Sequence, residues 1–211
     1  MQVSEIFHSI QGETSYAGRP CAFVRLAGCN LDCSYCDTRY AREGGATMPI
    51  DEIVQRVLER PVRLVMVTGG EPLLQPETPD LVNRFLLSGY KVLLETNGSL
   101  DIGVIPEEAV RIVDMKCPDS GMADRMLLAN LEKVRESDEV KFVVSSRRDY
   151  LWAKELALKY SLPQRTTVLF SPAHGVLEAR ELADWILEDD LDCVMQIQLH
   201  KIIWPEKQRG V

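Results

Sequence analysis

The chain has 211 residues, 45% hydrophobic and 27% charged, a balance that excludes a disordered polypeptide and fits one domain able to bury a full core. Its 24 Lys and Arg stand against 32 Asp and Glu, and the formal net charge of −8 argues against a phosphate-tracking surface and so against a nucleic-acid partner. No apolar run reaches the roughly 18 residues of a membrane span, and the opening MQVSEIFHSIQGE lacks a basic n-region and a long apolar h-region, so a cytoplasmic protein with no membrane partner is expected.

In chain order, residues 3–12 read as a short strand running into a polar turn at Gln11, Gly12 and Glu13. Residues 21–27 are nearly all apolar, as in a strand covered on both faces. The one charge there is Arg25. A cation in such a strand costs roughly several kcal/mol of desolvation unless an anion meets it, or its head escapes to the rim; the residues leave both open.

Gly28 to Thr38, GCNLDCSYCDT, sets Cys29, Cys33 and Cys36 at CxxxCxxC spacing, so a compact loop can turn three thiolates toward one point. Three soft ligands suit zinc or an iron–sulfur cluster. A structural zinc is normally closed by a fourth Cys or His, whereas three ligands on a four-iron cubane leave one iron open. Between residues 41 and 115 there is no Cys or His, and Cys117, His174, Cys193 and His200 form no second close pair. Disulfides account poorly for three crowded cysteines. Cys21 and Cys193 lie in strand-like runs and read as buried small hydrophobes; Cys117 receives no role.

Next come a glycine-containing linker and a helix over 49–60, with Ile50, Ile53, Val54, Val57 and Leu58 on one stripe. Residues 63–67 form a strand ending in Thr68, Gly69, Gly70, Glu71 and Pro72, where glycine lets backbone approach a ligand. A helix follows at 79–88, then strands at 91–95, ending in Thr96, Asn97 and Gly98, and at 111–115, ending in Lys116. The polar stretch 119–139 reads as a helical excursion. Strands at 140–144 and 167–170, helices at 149–160 and 177–188, and a final run at 193–198 close the series.

Strand and helix alternating at this spacing predict an α/β fold of parallel strands joined by right-handed crossovers, an open or partial barrel in a single domain over 1–211. Ligands in such folds sit at the C-terminal ends of the strands. The cysteine loop, GGEP, TNG, Lys116 and Ser171–Pro172 then face one mouth.

The cysteine spacing, with Tyr35 before its last member, resembles the cluster loop of the radical S-adenosylmethionine (SAM) enzymes. FHSIQGE, GRPCAFVRLAGCNLDCSYCDT, VTGGEPLLQ, LETNGS and QLHKIIWPEKQRGV together resemble one group of them, the 7-carboxy-7-deazaguanine synthases of queuosine and deazapurine biosynthesis. The resemblance implies a radical SAM core built as a cropped TIM-like barrel, a homodimer, and the cofactors [4Fe-4S] cluster, SAM and Mg²⁺. It also implies a reducing partner such as flavodoxin, and conversion of 6-carboxy-5,6,7,8-tetrahydropterin to 7-carboxy-7-deazaguanine with loss of ammonia, begun by hydrogen abstraction at C6.

By the same resemblance Cys29, Cys33 and Cys36 hold the cluster and Thr38 holds magnesium. SAM falls to Tyr35, Cys36, Asp37, Gly70, Glu95 and Asn97, and to the turns Asp114, Met115, Lys116 and Ser171, Pro172, Ala173, His174. The pterin falls to Ile10, Gln11, Gly12, Glu13, Arg25, Thr68 and His200. Taken alone, Thr38 reads as a turn cap, Glu71 as a surface acid, and His8 and His174 as ordinary imidazoles. Two rivals follow: a glycyl-radical activase, which shares the three-cysteine loop and GGEP but lacks IQGE and QLHK, and a non-catalytic zinc or cluster-binding module.

Overall fold

The computed structural model describes residues 1–211. Its strands are β1 (Gln2–Ile10), β2 (Pro20–Leu26), β3 (Ala46–Thr47), β4 (Leu64–Gly69), β5 (Lys91–Thr96), β6 (Val110–Lys116), β7 (Glu139–Val144), β8 (Thr167–Pro172) and β9 (Val194–Met195). The helices are α1 (Ile50–Leu58), α2 (Thr78–Leu87), α3 (Asn130–Lys133), α4 (Arg147–Lys159), α5 (Ala179–Glu188) and α6 (Leu199–Ile203). The strands form one nine-stranded sheet in the order β3-β1-β2-β4-β5-β6-β7-β8-β9. From β2 to β9 every neighbouring pair is parallel, while β1 runs antiparallel against β2 and β3. The sheet does not close on itself, so the fold is the expected partial barrel.

Two-residue alternation along each strand divides the side chains between two buried faces. On the outer face, Val65, Val67, Val92 and Leu94 meet Ile53, Val54 and Val57 of α1 and Leu81 and Phe85 of α2. Farther along, Val113, Val140, Phe142 and Phe170 meet Tyr150, Ala153 and Ala157 of α4 and Leu182 of α5. The inner face has an apolar floor of Phe23, Met66, Leu93 and Ile112. One step toward the strands' C-terminal ends the same face turns polar, with Arg25, Thr68, Glu95, Asp114 and Lys141.

Several expectations need correction. Residues 193–198 are a strand only at Val194–Met195; Gln196 N–H still donates to Phe170 O of β8 at 2.9 Å, but the Gln196 and Gln198 side chains bond the loop after β1, and the chain leaves the sheet there and enters α6. The stretch 119–139 is a chain of tight turns and the four-residue α3, not a helix, and Ser120, Asn130 and Leu131 bury its contacts with the sheet. Only a 3₁₀ turn at Ile102–Val104 lies between β5 and β6. Cys21 is fully buried as expected, whereas Cys193 is only half-buried.

At the floor end of the barrel, Asp138 is 1% exposed and accepts from the Arg111 backbone N–H at 3.0 Å, Arg111 Nε at 3.1 Å and the Arg135 backbone N–H at 2.8 Å. Burial pushes its carboxyl upward, but Arg111 and Arg135 outweigh that and hold it below 3.8. Removing the carboxylate strands the buried Arg111 guanidinium. Asp138→Asn should therefore cost about 3 kcal/mol in urea unfolding at pH 7. In the parent this contribution is fully present above the ordinary carboxylate range and fades as the pH falls through the lower folded value, so the stability gap between the two proteins should narrow with increasing acidity.

Candidate active site

The polar end of the inner face opens into a cavity of about 250 Å³. It lies where the parallel strands terminate. The turn after β2 carries Cys29, Cys33 and Cys36 to its wall, all three as free thiols. That turn is held by backbone: Glu71 N–H donates to Gly28 O at 2.7 Å and Gly70 N–H to Leu26 O at 3.1 Å. A Cβ on Gly70 would stand 2.8 Å from Cys29 Cβ and closer still to the Gly28 carbonyl, so only glycine permits this approach. Glu71 is not a surface acid: fully buried, it accepts from Asn97 N–H at 2.6 Å, Leu73 N–H at 2.8 Å and Thr96 Oγ1 at 2.8 Å, fastening GGEP to TNG. Its burial pushes the carboxyl pKa up.

The donor set fits an iron–sulfur cluster. No three His, Cys, Asp or Glu residues converge as they would around a single ion. Cysteines of a cluster each ligate their own iron and need only share a cavity wall, as these do. Of the remaining thiols, Cys21 is buried in the floor and Cys117 in the outer core, and neither lines the cavity. Burial raises the Cys33 thiol, with Lys116 opposing.

The expected SAM positions Tyr35, Asp37, Gly70, Glu95, Asn97, Asp114, Lys116, Ala173 and His174 all line the cavity. Three do not: Met115 points into the outer core, and Ser171 and Pro172 are buried outside the lining. Asp114 pairs with Lys116 at 2.9 Å and leaves its buried Oδ1 without a partner, an acceptor aimed at nothing in the protein.

The expected pterin positions Ile10, Gln11, Gly12, Glu13, Arg25, Thr68 and His200 all line the same cavity. Gln11 Nε2 is buried and unpartnered. Arg25 is met by an anion after all: its Nε donates to Glu5 Oε1 at 2.8 Å, and the residue lines the cavity. Glu5 also accepts from Tyr40 Oη at 2.7 Å and from the Gly210 backbone at 3.2 Å. His200 packs so tightly on Gly12 that a Cβ there would lie 3.2 Å from its backbone N and overlap its ring. Burial lowers the His200 pKa, against the pull of Glu13, and favours the neutral imidazole.

Thr38 lines the cavity but makes no capping bond; its hydroxyl donates to Asp37 Oδ1 at 2.8 Å. Asp37 in turn pairs with Lys201 at 3.0 Å, and although burial works the other way, that ammonium brings its carboxyl down to about 2. His8, outside the cavity, has its Nε2 3.3 Å from Val57 O, an ordinary satisfied imidazole. Sequence reasoning passed over Lys141, Gln198, Lys201 and Val211, which line the cavity as well. For Lys141 the signal existed: a lone charge in an apolar strand, as with Arg25.

A model of the radical SAM superfamily matches residues 24–168. The chain is 43% identical to the 7-carboxy-7-deazaguanine synthase of Koribacter versatilis, covering 100% of both chains. It is 47% identical to that of Chlorobaculum tepidum, covering 100% of this chain and 97% of the relative. Among solved structures, the crystal structure of QueE from Escherichia coli superposes with a TM-score of 0.78 at 21% identity over 93% of each chain. SuiB from Streptococcus suis, bound to S-adenosylmethionine, superposes with a TM-score of 0.60 at 12% identity, covering 85% of this chain and 50% of that one.

Two glycine substitutions separate the walls. Gly70→Ala should displace the cysteine turn and lower iron uptake on anaerobic reconstitution, while Gly12→Ala should leave iron content unchanged and weaken pterin binding by forcing His200 aside. Iron assay and equilibrium pterin binding read the two effects.

Proposed function

Because the chain belongs to the 7-carboxy-7-deazaguanine synthases of the radical SAM superfamily, we propose that its cavity holds 6-carboxy-5,6,7,8-tetrahydropterin beside SAM and converts it to 7-carboxy-7-deazaguanine with loss of ammonia. The observation that carries this reading is one cavity lined both by the three cysteines and by polar groups that the protein leaves orphaned or half-used. When bound, the cluster and SAM supply a 5′-deoxyadenosyl radical able to take the hydrogen at C6.

The chain's own groups bind and orient. Arg25, steadied at Nε by Glu5, offers its two remaining nitrogens as a fork to the substrate carboxylate. Gln11 Nε2 donates to the pterin edge, Thr68 adds a hydroxyl, and Gly12 lets backbone approach the ring. On the cofactor side Gly70 presents backbone to the SAM amino group, and Glu95 and Asn97 face its ribose. Asp114 Oδ1 accepts from a ligand what the protein does not give it. The apolar floor of Phe23 and Met66 excludes water from below.

Thr38 would hold Mg²⁺, which keeps waters and borrows substrate oxygens, consistent with the lack of a carboxylate cage. The family chemistry also needs a one-electron reductant, for which flavodoxin is the proposed donor, and the working unit is a homodimer. Six unpaired thiols support a reducing, cytoplasmic setting. No helix is long and apolar enough to cross a membrane.

Reconstituted protein given the carboxy-tetrahydropterin, reductant and substoichiometric SAM should accumulate deazaguanine, followed by its ultraviolet absorption. Stoichiometric SAM consumption without that product would instead favour an activase. Arg25→Ala should raise the pterin KM by about 10- to 100-fold. Thr38→Ala should alter the Mg²⁺ dependence of turnover and leave SAM affinity near that of the parent; identical metal titrations would remove Thr38 from the site.

A further inference from the structure

Lys141 lies in the middle of β7, between the outward Val140 and Phe142, with its side chain on the inner face. The register sets it beside Asp114 of β6 and Leu169 of β8. Its side chain is 4% exposed, and an ammonium so far from water persists only among anions. Three surround it. Nζ donates to Glu13 Oε2 at 2.8 Å, makes a short bond to Glu95 Oε1, and lies 3.3 Å from Asp114 Oδ2.

The three acids differ in what else holds them. Asp114 has a second cation in Lys116. Glu13 and Glu95 pair with no other Lys or Arg. Glu13 otherwise accepts only from Gln198 Nε2 at 2.8 Å, and Glu95 from Thr68 Oγ1 at 3.3 Å. Glu13 is an expected pterin position and Glu95 an expected cofactor position, so one buried ammonium is the shared counter-ion of two carboxylates assigned to different ligands. The charge also has no role in the outer core, from which it points away.

We propose that Lys141 is a positioning residue common to both ligand subsites, orienting Glu13 toward the pterin and Glu95 toward the cofactor ribose, so that its loss weakens both ligands together. This rests on the radical SAM reading of the cavity. Without Lys141 the two acids repel each other in a buried space, and each rotates away or takes a proton. Either outcome withdraws the acceptor that its ligand meets. A lysine that merely stapled the loop at residues 11–19 to the sheet would leave SAM affinity unchanged.

The test is equilibrium binding to the cluster-loaded, unreduced protein, where no turnover occurs: 6-carboxypterin by fluorescence and SAM by calorimetry. Lys141→Met should raise both dissociation constants about tenfold or more, with iron content as in the parent. Glu13→Gln should weaken the pterin alone. The double variant should bind pterin no worse than the weaker single variant, because the two residues act as one unit. Lys141→Gln, less disruptive to folding, should shift both constants in the same direction by a smaller factor. Parent-like affinity for either ligand in Lys141→Met, or in Lys141→Gln should the first variant not fold, overturns the proposal, as do additive losses in the double variant. Failure of the parent protein to form deazaguanine would overturn the proposed function instead.

Discussion

Charge on the buried face of a sheet survives only if it is neutralised within that face, and this constraint shapes the upper half of the barrel. The pairings run sideways from strand to strand: Glu5 of β1 to Arg25 of β2, and Asp114 of β6 and Glu95 of β5 to Lys141 of β7. They therefore tie β1 to β2 and β6 to β7, and reach across β6 from β5 to β7, at the level where the apolar floor stops. What the network leaves unsatisfied is as telling as what it satisfies. Gln11 Nε2 and Asp114 Oδ1 are buried without partners, and both border the cavity, where a ligand can complete them.

Much of this was legible in the sequence. Strand cores such as LVMV and VLL announce themselves by being apolar throughout, which burial on both faces explains. Cys29, Cys33 and Cys36 declared the cluster wall because thiolates at that spacing have few other uses. The losses have physical causes. Residues 193–198 carry strand-like residues, but Gln196 and Gln198 bond across to Thr14 and Glu13, a tertiary demand no local pattern records. The stretch 119–139 looked helical from its polarity, yet Asn130 is buried to satisfy the carbonyls of Gly98 and Leu100. Ser171 and Pro172 sit at a strand end as expected, but a strand end has two sides, and sequence does not say which one meets the ligand.

The cropped architecture also explains why so little chain suffices. With only a 3₁₀ turn between β5 and β6 and short turns around α3 between β6 and β7, the outer layer is thin there, and Arg111, Arg135 and Arg165 knit those connections by donating to backbone carbonyls while Asp138 accepts from the Arg111 and Arg135 backbone N–H groups. Polar stitching takes the place of a helix.

The open side of the barrel is not walled by a strand. It is closed by residues 11–15 after β1 meeting residues 196–200 before and within α6, through Leu199 N–H to Gly12 O at 3.0 Å, Thr14 N–H to Gln196 Oε1 at 2.6 Å and Gln198 to Glu13. These contacts span about as much of the chain as any contact can, with 185 residues separating Glu13 from Gln198. The chamber is therefore complete only when two segments far apart in the chain have met, so its closure is among the costliest contacts of the fold in loop entropy and forms late relative to the local βα units.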